Sequence, residues 1–187
     1  MTDPAKKRLL LGASGSMSVT TLPPYLAALH QELASSLTVV MTHSAQRFLP
    51  AQTVGLLANR VVTGDDPARW PTDNQNALAA THDIVIVLPT TANMLAAAAT
   101  GAAPNLLAGV ILAATCPVVF FPVMSAGMWA KPAIARNIDQ LRADGYHVVE
   151  PEWAKRYDVH SGTLVDNPAL PAPATVVSTV RSLLADA

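Results

Sequence analysis

Two segments of this chain place small polar residues directly behind apolar runs. Pro89-Thr90-Thr91-Ala92-Asn93 follows Ile84–Leu88, and Pro122-Val123-Met124-Ser125-Ala126-Gly127-Met128-Trp129 follows Val118–Phe121. Hydroxyls and amides at the carboxyl ends of strands are how an open parallel sheet meets a ligand. Thr90, Thr91 and Asn93 offer partners to the edge of a polar heterocycle, whereas Met124, Met128 and Trp129 offer either an apolar wall or core packing. Gly12-Ala13-Ser14-Gly15-Ser16 follows another apolar run and precedes a helix-like stretch, so Gly12, Ser14, Gly15 and Ser16 bring N–H groups and hydroxyls to where a phosphate can be cradled. Thr42 and Ser44, behind a further run, can contact the same ligand or cap a helix. His82 abuts the Ile84 strand and reads as a packing or capping residue. His160 lies in a loop, where an imidazole is either solvated or able to close over a substrate.

These residues need a scaffold that alternates strands and helices. Strand-like runs recur at Arg8–Leu11, Leu37–Met41, Ile84–Leu88, Val118–Phe121 and Tyr146–Val149, with helical or small-residue segments between them. That is an α/β pattern. Continuous aliphatic runs such as Ile84-Val85-Ile86-Val87-Leu88 suit strands buried on both faces, which predicts a Rossmann-like (flavodoxin-like) open parallel sheet covered by helices on both faces. Pro132–Ala143 reads as a helix with a stripe at Ile134, Ile138 and Leu141, and Ala174–Ala185 as another with Val176, Val180, Leu183 and Leu184 on one face. Gly101, Pro104-Asn105, Gly109 and Cys116-Pro117 cut the apolar stretch Leu95–Phe121 into pieces shorter than the roughly 20 residues of a membrane span. Two buried helical segments and a buried strand are expected there. Pro151–Pro173, with prolines at 151, 168, 171 and 173, Gly162 and mixed charges, reads as a loop or flap on a single domain covering 1–187.

Composition excludes several classes. Twelve Lys and Arg against thirteen Asp and Glu give a formal charge of −1 without a basic block, so the electrostatic attraction that drives nucleic-acid or anionic-membrane binding is missing. Lys6-Lys7-Arg8 precedes only Leu9-Leu10-Leu11 before Gly12, too short for a secretory segment, which points to the cytoplasm. Cys116 is the single cysteine, leaving no disulfide and no cysteine-pair metal site, and no metal is expected. A charged fraction of 13% together with the alanine excess suggests helix surfaces covered by neighbouring copies.

The two proline-led segments resemble the signature motifs of flavin-dependent cysteine decarboxylases, which read Pro-Ala-Ser-Ala-Asn-Thr and Pro-x-Met-Asn-x-x-Met-Trp. The resemblance runs from Gly12 through the flap, where Val159-His160-Ser161-Gly162 is similar to the family's substrate clamp. It implies FMN held by Gly12, Ser14, Gly15, Ser16, Thr42, Ser44, Thr90, Thr91, Ala92 and Asn93. It further implies that Met124, Met128, Trp129, Ser161 and Gly162 line the substrate side, and that the assembly is a trimer or a dodecamer of four trimers. The implied activity is oxidative decarboxylation of the C-terminal cysteine of a precursor peptide. Met94 stands where the family commonly has threonine, and two departures weigh more: Gln75 stands where the family has its catalytic histidine, fourteen residues ahead of Pro89, and Ser125 replaces the asparagine of the second motif. Three alternatives follow: oxidation without an imidazole base, a substitute group such as His160, or a flavin-binding partner protein without activity. Phosphopantothenoylcysteine decarboxylases share the fold and the first chemical steps but use a flap cysteine, and 151–173 contains none. Flavin prenyltransferases lack the second motif.

Overall fold

The aliphatic runs become the strands of one parallel sheet in the computed structural model, which describes residues 6–186. In chain order the elements are β1 Lys7–Ala13, α1 Leu22–Glu32, β2 Ala34–Met41, α2 His43–Gln46, α3 Ala51–Val54, β3 Arg60–Val62, α4 Gln75–Ala80 and β4 Ile84–Thr90. They continue with α5 Ala92–Ala99, α6 Leu106–Ala113, β5 Val118–Pro122, α7 Ala126–Trp129, α8 Pro132–Ala143, β6 His147–Val148, β7 Glu152–Asp158, β8 Thr163–Ala169 and α9 Pro173–Ala185. The six-stranded sheet has the order β3-β2-β1-β4-β5-β6, and every pairing within it is parallel. The chain starts at the centre, winds outward through β2 and β3, then returns to the other side of β1. This is the doubly wound Rossmann order, whose reversal between β1 and β4 opens a crevice at the carboxyl ends of those strands.

Alternation along each strand divides the core into two layers. Leu9, Leu11, Ile84, Ile86, Val119 and Phe121 pack towards α1 and α9, whereas Leu10, Val85, Val87, Val118 and Phe120 pack towards α5, α6 and α8. Strands buried on both faces in this way require the unbroken aliphatic runs seen in the sequence. The stretch Leu95–Phe121 resolves into the end of α5, then α6 and β5, and no described helix is long and apolar enough to cross a membrane. Two elements differ from expectation. β3 pairs with β2 through Thr38–Val40 but is only three residues long. Residues 151–173 do not form an irregular loop: β7 and β8 make an antiparallel hairpin, a two-stranded sheet of its own.

Candidate active site

The loops after β1, β2, β4 and β5 meet at the carboxyl edge of the sheet around a cavity of about 470 Å³. Ser14, Gly15 and Ser16 come from the first loop and Thr42 and Ser44 from the second, while Thr91, Ala92 and Asn93 come from the third. Met124 and Met128 close the β5 side. The first and second loops touch so closely that a Cβ on Gly15 would lie 2.3 Å from the Cβ of Ser44. Glycine is therefore a steric requirement here. Among the described residues the N–H groups of Gly15 and Ser16 make no hydrogen bond, and neither does the Ser44 hydroxyl or the Asn93 carboxamide. These are the donors left available to a ligand.

Other hydroxyls nearby are already committed. Ser14, only 2% exposed, donates its hydroxyl to the Pro89 carbonyl at 2.8 Å and accepts the Thr91 N–H at 2.9 Å, fastening β1 to β4 at the switch point. Thr42 and Thr91 cap α2 and α5 by accepting the N–H groups of Ala45 and Met94, so the capping alternative holds for Thr42 although it also lines the cavity. Thr90 is fully buried; its Oγ1 donates to the Val87 carbonyl at 2.6 Å and accepts the Phe121 N–H at 3.2 Å. It braces the β4–β5 register and does not reach the cavity. Gly12 is also outside it: a Cβ there would meet the Leu107 side chain at 2.3 Å, so this glycine serves the packing of α6 on β1.

The expected catalytic positions lie elsewhere. Gln75 opens α4 and lines a separate cavity of about 610 Å³ with Trp70, Asp73 and Gly109. α4 packs on α6, and that packing sets Gln75 against Gly109 in this second cavity, outside the lining of the strand-end one. Asn105 lines both cavities, and its Oδ1 caps α6 by accepting the Ala108 N–H at 3.0 Å. Asp73, 5% exposed, holds Arg60 and Arg69 in ion pairs beneath Gln75. Ser125 caps α7 by accepting the Met128 N–H at 3.3 Å and lines a third cavity, of about 240 Å³, that shares Ser16, Val123 and Met124 with the first. Trp129 packs against the second core layer. His160, Ser161 and Gly162 form the hairpin tip and line none of these three cavities. There Asp158 accepts the N–H groups of His160 and Ser161; the Ser161 side chain first, and then these two N–H groups, hold its carboxyl below the usual range. Gly162 takes a φ of +68°, the left-handed turn that favours glycine.

A family model described as Flavoprotein matches residues 1–182. The chain belongs to the flavoprotein family. It is 35% identical over 169 residues to the mersacidin decarboxylase of a Bacillus species, covering 89% of this chain and 85% of that one. The solved structure of the FMN-dependent cysteine decarboxylase SpaF superimposes with a TM-score of 0.77 at 34% identity over 97% of both chains. EpiD complexed with the substrate peptide DSYTC gives a TM-score of 0.84 at 26% identity, over 93% of this chain and 98% of that one.

The cavity of this flavoprotein fits an FMN-like group: a glycine at the tightest point, unused N–H groups around it, and methionines along one wall. None of the described residues lining it carries a carboxylate, an imidazole or an amine. The site can orient and desolvate, but it has no group that exchanges protons near neutrality. His82 is not a candidate either. It is buried, with Nδ1 2.7 Å from the Leu78 carbonyl and Nε2 2.9 Å from the Thr38 hydroxyl; it packs where the sequence suggested. Three lining residues were not legible in the sequence: Asn105, Arg156 and Asn167. Asn105 alone carries a signal, an N-cap residue ahead of an apolar run. Arg156 and Asn167 reach the third cavity only because the hairpin pairs residues from both sides of its turn.

Proposed function

We propose that this flavoprotein binds FMN in the strand-end cavity and catalyses oxidative decarboxylation of the C-terminal cysteine of a ribosomally made precursor peptide, leaving an enethiol. The observation that carries the reading is a cavity rich in unused hydrogen-bond donors and without an acid or base, in a chain 35% identical to mersacidin decarboxylase. Bound FMN supplies the two-electron acceptor without which a carboxylate on a saturated carbon does not leave readily. The N–H groups of Gly15 and Ser16 with the Ser44 hydroxyl hold the phosphate, and Asn93 meets the ring edge. Met124 and Met128 form the apolar wall against which the cysteine side chain is oriented. Orientation is the main contribution such a site can make. A cysteine thiol has a reference pKa of about 8.5, so only a modest depression makes it largely thiolate, and hydrogen-bond donors supply that without a base. Ser125 acts in this reading as a donor at the cavity margin, and Gln75 as one from the neighbouring cavity, with which the strand-end cavity shares Asn105. His160 is the alternative proton carrier if the hairpin tip closes.

A homo-oligomer, a trimer or four trimers, belongs to the same proposal, as does a cytoplasmic setting. Trp70 and Leu112 are 56% and 54% exposed beside Gln75, which supports cover by a neighbouring copy. Phosphopantothenoylcysteine decarboxylation is disfavoured because Cys116 lies just ahead of β5 and its thiol is pushed up by burial. The test is incubation of the flavin-loaded protein with cysteine-terminated peptides and mass spectrometry. The expected product has lost carbon dioxide and two hydrogens, about 46 Da by flavin hydride chemistry. Flavin-loaded protein that produces no such loss from any peptide, including a precursor encoded beside its gene, refutes the reading.

A further inference from the structure

The base of the hairpin approaches the strand-end cavity through one polar contact. Asn167 Oδ1 accepts the N–H of Ala126, the first residue of α7, at 2.8 Å. This assigns the carboxamide: its oxygen is committed to backbone, and its Nδ2 group, with two hydrogens to donate, has no partner among the described residues. Arg156 lies on the same face of the hairpin, because Ala154 pairs with Asn167 and Arg156 is two residues further along that strand. Both side chains line the 240 Å³ cavity with Ser16, Ser18 and Ser125. Among the described residues, Arg156 is the only cation lining this cavity or the strand-end cavity that adjoins it. It forms no ion pair among the described residues.

The neighbouring acidic groups do not neutralise it. Glu152 and Asp158 share the Arg156 face of β7, but Asp158 is engaged by the turn amides of His160 and Ser161. Glu152 makes no ion pair with Arg156. The small cavity therefore presents a free guanidinium, a free amide N–H pair and hydroxyls, with no anion of its own to answer them. That donor set matches a carboxylate, which a guanidinium engages with two parallel hydrogen bonds.

We infer that Arg156 and Asn167 form a carboxylate anchor, which holds the C-terminal carboxylate of the peptide in the small cavity while the cysteine side chain enters the larger one. The inference rests on the proposed reading of the substrate as a peptide ending in cysteine, whose terminal carboxylate is adjacent to the carbon that must be oriented. The shared walls at Ser16, Val123 and Met124 give the two groups of one amino acid adjoining compartments. Arg156 is itself exposed, so its hold is tempered by solvent and does not trap the carboxylate that must later depart. Its role is positioning, and it shows in binding more than in the chemical step.

The test compares two peptides identical except that one ends in cysteine carboxylate and the other in cysteine carboxamide. Binding to flavin-loaded protein is read by calorimetry, and turnover of the acid by mass spectrometry. The wild type should bind the acid about tenfold more tightly, the size of one charge-assisted hydrogen bond. Arg156→Gln should bring the ratio close to one and raise KM while leaving kcat within a few-fold; Arg156→Lys should restore part of it. Asn167→Asp keeps an acceptor for the Ala126 N–H but places a negative charge at the anchor, and should reverse the preference. A wild type that treats acid and amide alike, or an Arg156→Gln variant that keeps the wild-type ratio, overturns the anchor while turnover still upholds the function. A wild type that turns over no cysteine peptide overturns the function and the anchor with it.

Discussion

Ser14→Ala separates a residue that builds the cavity from one that touches the ligand. In the wild type the Ser14 hydroxyl serves two backbone groups of the segment after β4, donating to the Pro89 carbonyl at 2.8 Å and accepting the Thr91 N–H at 2.9 Å. Truncation affects them unequally. The Pro89 carbonyl keeps the Ser14 N–H at 3.2 Å, but the Thr91 N–H loses its acceptor. One buried unsatisfied donor costs about 1–3 kcal/mol, so the expected loss is about 2 kcal/mol. For a chain of this size that lowers Tm by about 4–8 °C. The assay is urea unfolding of flavin-free protein at fixed concentration, where the midpoint should fall with m unchanged. Ser44→Ala is the contrast, because the Ser44 hydroxyl lines the cavity and makes no hydrogen bond among the described residues; it should weaken flavin binding with little effect on stability. If Ser14→Ala abolishes flavin binding while unfolding at the wild-type midpoint, Ser14 is a ligand contact and the strut reasoning fails.

Gly12→Ala puts a methyl group into the Leu107 side chain, which is 1% exposed within the second core layer. We expect a loss of about 1–3 kcal/mol, partly relieved when Leu107→Ala is combined with it; strictly additive urea midpoints in the four-protein cycle would refute the contact. His82 gives stability a pH dependence of definite sign. Burial holds its imidazole below the ordinary value, so the unfolded chain takes up a proton at about pH 6.5 before the folded one does. Stability from this site is complete above about pH 6.5 and declines as the pH falls, and His82→Asn should flatten that slope in unfolding midpoints measured between about pH 7.5 and 5.5.

The long strands and helices were readable because their burial is written in the residues themselves. β1, β4 and β5 are covered on both faces, which demands continuous aliphatic runs, and α8 shows its buried Ile134, Ile138 and Leu141 at helical spacing. β3 escaped because three residues carry no period. The hairpin escaped because β7 is mostly exposed and charged and β8 buries only Pro168 and Ala169 at its end, with Lys155 directly opposite Asp166, so neither strand shows an alternation to read. In the site, the loops that follow strands were legible from their small polar residues. Which hydroxyl remains free was not. Thr90 and Ser14 are committed to partners such as Phe121 and Pro89, 31 and 75 residues away, and only the fold decides those pairings. Gln75 shows the same limit: counting back from Pro89 finds a position in the chain, but the packing of α4 on α6 decides which cavity it faces.

The hairpin stands apart from the main sheet, and a two-stranded ribbon alone is at best marginally stable in water. Its order therefore depends on what lies beneath its base, where Asn167 meets Ala126 and Arg156 meets the small cavity. A peptide carboxylate bound there would tighten the ribbon, but the reaction removes that very group as carbon dioxide. The product would then lose its hold on the hairpin at the moment it forms. Turnover would gain a direction from this, because the segment that closes on substrate has no anion left with which to retain product.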